Sequence, residues 1–108
     1  MTVKELAEKF NLTSVAIPCP EKEISGAYIG DLLSWVMGKA ESGNAWITIM
    51  SNVNILAVAS LSDVSCIILA EGVVLEEEII ATANAKLINV LSSPKSAFDI
   101  AKMLSGAI

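Results

Sequence analysis

The chain has 108 residues, 54% of them hydrophobic, with twelve acidic and seven basic side chains for a formal net charge of −5. That length suits one domain over residues 1–108 with one substantial core. There is no histidine, and every basic residue is lysine, so the commonest general base and metal ligand is missing, as is the forked guanidinium preferred for phosphates and nucleic acid.

Taken in order, Thr2-Val3-Lys4-Glu5 has the form of a capping box, and Val3, Leu6 and Phe10 then recur on one helical face. A helix from about 3 to 10 follows, with Asn11 suited to the left-handed position after it. The charged residues Lys4, Glu5, Glu8 and Lys9 stand where a signal peptide needs an apolar run, which points to a cytoplasmic protein. Mean hydropathy is high at +0.63, yet no apolar run approaches the ~20 residues of a membrane span. A helix-turn-helix reading of the opening fails, because Ser14–Ile17 followed by Pro18 and Pro20 reads as a short strand and a rigid loop. Cys19 sits in that loop. Ile24–Tyr28 reads as a strand. Gly30-Asp31 then opens a helix through Met37, closed by Gly38, with Ile29, Leu32, Leu33 and Val36 inward. Asp31 there would complement the helix dipole, and Tyr28 and Trp35 would rim the core or line an interface.

The stretch Ala45–Gly72 reads as strand, helix, strand. Ala45–Met50 and Ser65–Ala70 are apolar enough to be buried on both faces, the habit of a parallel sheet, and Cys66 lies inside the second. Val53–Ser62 is read as the crossover helix, a hairpin strand turning at Ser51-Asn52 being the alternative. As a helix it is apolar almost all round, so it needs cover on two sides: the sheet and a second copy of the protein. Glu76-Glu77-Glu78 suits a helix first turn, with Ile79, Ile80, Ala83 and Leu87 as the buried stripe. Consecutive helical carboxylates diverge, which argues against a metal site. Ile88–Leu91 is the next strand. Ser92-Ser93-Pro94 supplies an N-cap and a first-turn proline for a helix Lys95–Ser105, with Ala97, Phe98, Ala101 and Leu104 inward. The fold class expected is therefore α/β, a mostly parallel sheet of four to five strands with helices on both faces.

The strings VKELAEKFNL, GAYIGDLLSWVMGKA, AWITIMSNVNILAVASLSDVSCIILAEG and INVLSSPKSAFDIAKML together resemble a stand-alone DRTGG domain over essentially the full length. The resemblance implies a fold similar to the N-terminal domain of HPr kinase/phosphorylase. It also implies a regulatory or dimerising module, found beside CBS domains in some pyrophosphatases and ahead of the catalytic part of some phosphate acetyltransferases, without catalysis of its own. The single-domain form accompanies bacterial redox and hydrogenase gene sets. The family's aspartate-arginine pair falls near Ser51-Asn52, and its threonine-glycine-glycine falls on Ala70-Glu71-Gly72, where only the last glycine matches.

Two functional readings result. The first is a non-catalytic regulatory or interaction domain acting as a homodimer, with Ile55, Val58, Ala59, Leu61 and Trp35 as interface residues and a heterologous protein as a further partner. The second is a small-ligand sensor, for a nucleotide or other anion, at the carboxyl ends of the strands. There Ser51, Asn52, Glu71, Gly72, Ser92, Ser93 and Asp31 would surround helix N-termini with free N–H groups. An enzyme is disfavoured, since Asp31, Glu71, Ser51 and Cys19 have no histidine partner, and neither a phosphate loop nor metal-ligand spacing is present. No cofactor is expected.

Overall fold

A computed structural model describes all 108 residues. The elements run α1 (Val3–Lys9), β1 (Thr13–Ala16), β2 (Gly26–Ile29), α2 (Leu33–Lys39), β3 (Asn44–Thr48), α3 (Asn54–Ser62), β4 (Cys66–Leu69), α4 (Glu77–Ala85), β5 (Val90–Ser92) and α5 (Ala97–Leu104). The five strands form one sheet in the order β1-β5-β4-β3-β2. β2, β3, β4 and β5 are mutually parallel, and β1 joins β5 antiparallel with a bulge between Ser14 and Ala16. Each parallel pair is bridged by a crossover helix: α2, α3 and α4 in turn. This is the α/β sheet expected, and Val53–Ser62 forms the helix rather than a hairpin strand.

Alternation along the strands sorts the core into two layers. Trp46, Ile67, Leu69 and Val90 pack against Val36 of α2, Ile55, Leu56, Val58 and Ala59 of α3, and Ala83 of α4. Ala45, Ile47, Cys66, Ile68 and Leu91 pack against Val3 and Leu6 of α1 and Ile100 and Leu104 of α5. β3 and β4 are buried along their whole length, as continuous apolar runs in a parallel sheet should be. The Cys66 thiol is enclosed, and burial pushes its pKa up to about 12, so it is a small apolar core residue.

Local rules hold where they depend on neighbours in sequence. Thr2 and Glu5 form the reciprocal capping box. Asn11 takes the left-handed position with φ 54°, and Leu12 N–H reaches back to the Ala7 carbonyl at 2.9 Å.

Three buried stripes differ from expectation. Leu87 is not part of the α4 stripe. It occupies the left-handed position after that helix (φ 62°), where Leu87 N–H bonds the Asn84 carbonyl and Ile88 N–H the Ala83 carbonyl in a Schellman turn, and its side chain is turned outward, 59% exposed. On α5 the inward residues are Ala97, Ile100, Ala101 and Leu104, spaced i, i+3, i+4, i+7. Phe98 lies off that stripe and is 72% exposed. The cap of α5 is Ser96, whose side chain accepts from Asp99 N–H, not Ser93, and Pro94 precedes the cap. α2 begins at Leu33 rather than Gly30, because Gly30 N–H is still bonded to Ile47 of β3. Ile29 and Leu32 are accordingly exposed, and Gly38 lies inside the helix.

The interface expectation needs the largest correction. Ile55, Val58 and Ala59 are buried within the chain itself, Val58 to 5% exposure. The second cover of α3 is α2, packed alongside it, so these three side chains have no free face to offer. Leu61 and Trp35 of the original set remain exposed, at 73% and 59%.

Candidate functional site at the carboxyl ends of the strands

In an open parallel sheet the loops after the strands, at their carboxyl ends, are the usual ligand rim. The site begins with the end of β3. Thr48, almost fully buried, donates its hydroxyl to Asp31 Oδ1 at 2.8 Å, the same oxygen accepts Ile49 N–H at 3.0 Å, and Thr48 Oγ1 accepts Met50 N–H. Asp31 is thus a strap that fixes the β3 exit; it precedes the first turn of α2 and does not complement its dipole. Asn52 Oδ1 accepts Asn54 N–H at 2.9 Å, and Ile55 and Leu56 N–H bond the Asn52 and Val53 carbonyls. The first-turn N–H groups of α3 are therefore occupied.

The β4 exit closes on the β5 exit. Glu71 and Gly72 both have positive φ, 59° and 70°, and Val73 N–H bonds the Ala70 carbonyl, which defines a type I′ turn that glycine suits at its second central position. Glu71 N–H bonds the Lys95 carbonyl at 2.8 Å and Gly72 N–H the Ser93 carbonyl at 3.0 Å. Ser93 is buried, and its hydroxyl accepts Lys95 N–H. Ser92 ends β5, paired on both sides with Leu69 and Thr13. The backbone donors expected to hold an anion at Glu71 and Gly72 are thus satisfied by the neighbouring loop.

The open space on this rim is a groove of about 590 Å³ lined by Ser51, Asn52, Val53, Glu76, Glu78, Ile79 and Thr82. Of the seven expected ligand residues it brings together Ser51 and Asn52; Asp31, Glu71, Gly72, Ser92 and Ser93 share the rim but do not line it. Sequence reasoning missed Ile79 and Thr82, one helical turn apart on α4. It also placed Glu76 and Glu78 as dipole partners only. With two glutamates and no lysine among its lining residues, the groove repels polyanions. No group of three or more acidic or cysteine side chains is arranged to hold a metal ion, and no helix is long and apolar enough to cross a membrane.

Comparison with known proteins places the architecture. No curated protein matches the chain. Among solved structures, the CBS and DRTGG domains of the regulatory region of Clostridium perfringens pyrophosphatase, complexed with the activator diadenosine tetraphosphate, superpose with a TM-score of 0.73 at 17% identity. The match covers 95% of this chain and 45% of that one, so the chain spans less than half of that regulatory region. At that identity the likeness is one of fold. The description DRTGG domain matches residues 29–107, from the end of β2 through α5, and the chain belongs to the DRTGG domain family.

Proposed function

We propose that the chain is a non-catalytic regulatory or interaction domain that works as a homodimer, in the redox or energy-metabolism setting that the family resemblance implies. One observation carries this reading. Four of the eleven exposed large hydrophobic side chains, Ile29, Leu32, Trp35 and Met37, fall within nine residues of sequence, from the end of β2 into α2 at one edge of the sheet. Exposed apolar side chains concentrated along one edge of a small domain mark an association surface more readily than scattered ones do. The regulatory part rests on the fold shared with the pyrophosphatase regulatory region. In sedimentation velocity over a wide concentration range, the chain is expected to run at twice its 11.4 kDa mass; a monomer throughout rejects the homodimer.

A second reading, a small-ligand sensor, is supported by the groove at Ser51 and Asn52, whose volume of about 590 Å³ lies in the range of ligand pockets. Glu76 and Glu78 favour a ligand portion without negative charge, such as a nucleoside, over a bare polyphosphate. In a thermal-shift comparison, adenosine at ten times its Kd stabilises by about 1.4 kcal/mol and is expected to raise Tm by roughly 5–10 °C in a domain of this size. Diadenosine tetraphosphate is expected to do less. No shift with either at millimolar concentration rejects the sensor.

A further inference from the structure

The two edges of the sheet are treated differently. β1, at one edge, carries a bulge between Ser14 and Ala16 and runs into Pro18 and Pro20, devices that stop an edge from pairing with another strand. β2, at the other, has none. Its register with β3 is unbroken from Gly26 to Ile29, and Ile24–Gly30 contains neither a charge nor a proline. Because Gly30 N–H points inward to Ile47, strand alternation turns the N–H and C=O of Ala27 and Ile29 outward. No turn, loop or cap group of the chain bonds them.

We propose that β2 is the dimer seam, pairing antiparallel with β2 of a second copy across a two-fold axis perpendicular to the sheet, so that two five-stranded sheets become one of ten. This deepens the homodimer reading and rests on it. The register follows from the outward groups. Tyr28 faces Tyr28 of the second copy on the axis, and Ala27 faces the second copy's Ile29. The two Ala27–Ile29 pairs are the hydrogen-bonded kind, each exchanging two bonds, four in all. They also set a small side chain opposite a large one, since Ala27 and Ile29 are exposed and share the sheet face of Ala45 and Ile47.

The flanking helices fit the same axis. α2 bridges β2 and β3 and is the outermost helix on its face. Leu33 and Val36 pack inward, which leaves Leu32, Trp35 and Lys39 along one flank at i, i+3, i+7. A right-handed crossover turns that flank toward the β2 edge. Two copies of α2 seated over their strand pairs stand two strand spacings apart, about 10 Å, within the usual distance for packed helices. Trp35, with Lys39 Nζ 5.0 Å from its ring centre, would be covered there. On the other face α5 packs on β3 and β2, so the seam is flanked on both sides. A second copy suits this edge because Ile24–Gly30 carries no charge, so two chains of net charge −5 meet along the strand without setting like charges opposite one another.

The test uses the full chain. Ala27→Pro removes an outward N–H that β3 does not use, a change an edge strand tolerates. It is expected to raise the dimer dissociation constant on the order of 100-fold, through loss of two of the four inter-chain hydrogen bonds. Independently, Tyr28→Cys in a Cys19→Ser background is expected to form a covalent dimer on mild oxidation, whereas Ser14→Cys on the β1 edge is not. If Ala27→Pro loses its circular dichroism signal, the crosslinking alone decides. A wild-type monomer overturns both the seam and the homodimer. A wild-type dimer whose Tyr28→Cys variant crosslinks no faster than Ser14→Cys overturns the seam and leaves the homodimer standing.

Discussion

Val58→Glu is expected to destabilise the chain itself by roughly 4 kcal/mol, a large share of a small domain's stability. Val58 lies among Ile55, Ala59, Trp46 and Ile67 in the layer between α3 and the sheet and is 5% exposed. A carboxylate there loses its hydration with no lysine in the cluster to compensate, and its protonated form still leaves two oxygens among apolar atoms. Leu61→Glu, on the same helix but 73% exposed, should change stability within about 0.5 kcal/mol. Urea unfolding of both variants checks the pair. A Val58→Glu chain with the wild-type midpoint would mean that α3 does present this side chain outside the fold.

That contrast marks where the sequence was readable. The strand-helix rhythm, the capping box at Thr2 and Glu5 and the turn at Asn11 depend on residues close to one another in sequence, and they were legible. The all-round apolarity of α3 correctly demanded two covers. Which partner supplied the second cover depended on α2, and nothing local to Val53–Ser62 encodes that packing. Leu87 was misplaced for a related reason: its apolar character fits the α4 stripe, yet the Schellman turn rotates it out. At the candidate site, Asp31 and Thr48 are 17 residues apart, and their hydrogen bond exists only because β2 and β3 pair in register. The rim residues Glu71, Gly72 and Ser93 do lie at the strand ends, but only the fold reveals that Gly72 N–H bonds Ser93 and Glu71 N–H bonds Lys95. The exposed edge of β2 was likewise invisible until the strand order made it an edge.

Asn89→Leu is expected to cost roughly 3–5 kcal/mol, more than most exchanges of similar volume, because three backbone groups lose their partner together. Asn89 is buried. Its Nδ2 donates to the Cys19 carbonyl at 2.7 Å and to the Ser65 carbonyl at 3.0 Å, and its Oδ1 accepts Cys19 N–H at 2.9 Å. One side chain therefore clamps both polar groups of Cys19 and ties the Pro18–Pro20 loop to the start of β4. Leucine fills the space and satisfies none of these groups; aspartate keeps the acceptor but aims its second oxygen at two carbonyls, so Asn89→Asp should be no better at neutral pH. The effect reaches the edge of the sheet, since this loop holds the prolines beside β1. Hydrogen exchange of Cys19 N–H should accelerate in Asn89→Leu even under conditions where the β3 and β4 amides stay protected. With the loop released, the β1 edge loses its guard, so Asn89→Leu is expected to sediment as larger species than the wild-type chain does at the same concentration. Unchanged stability and unchanged Cys19 exchange would show that the clamp is dispensable.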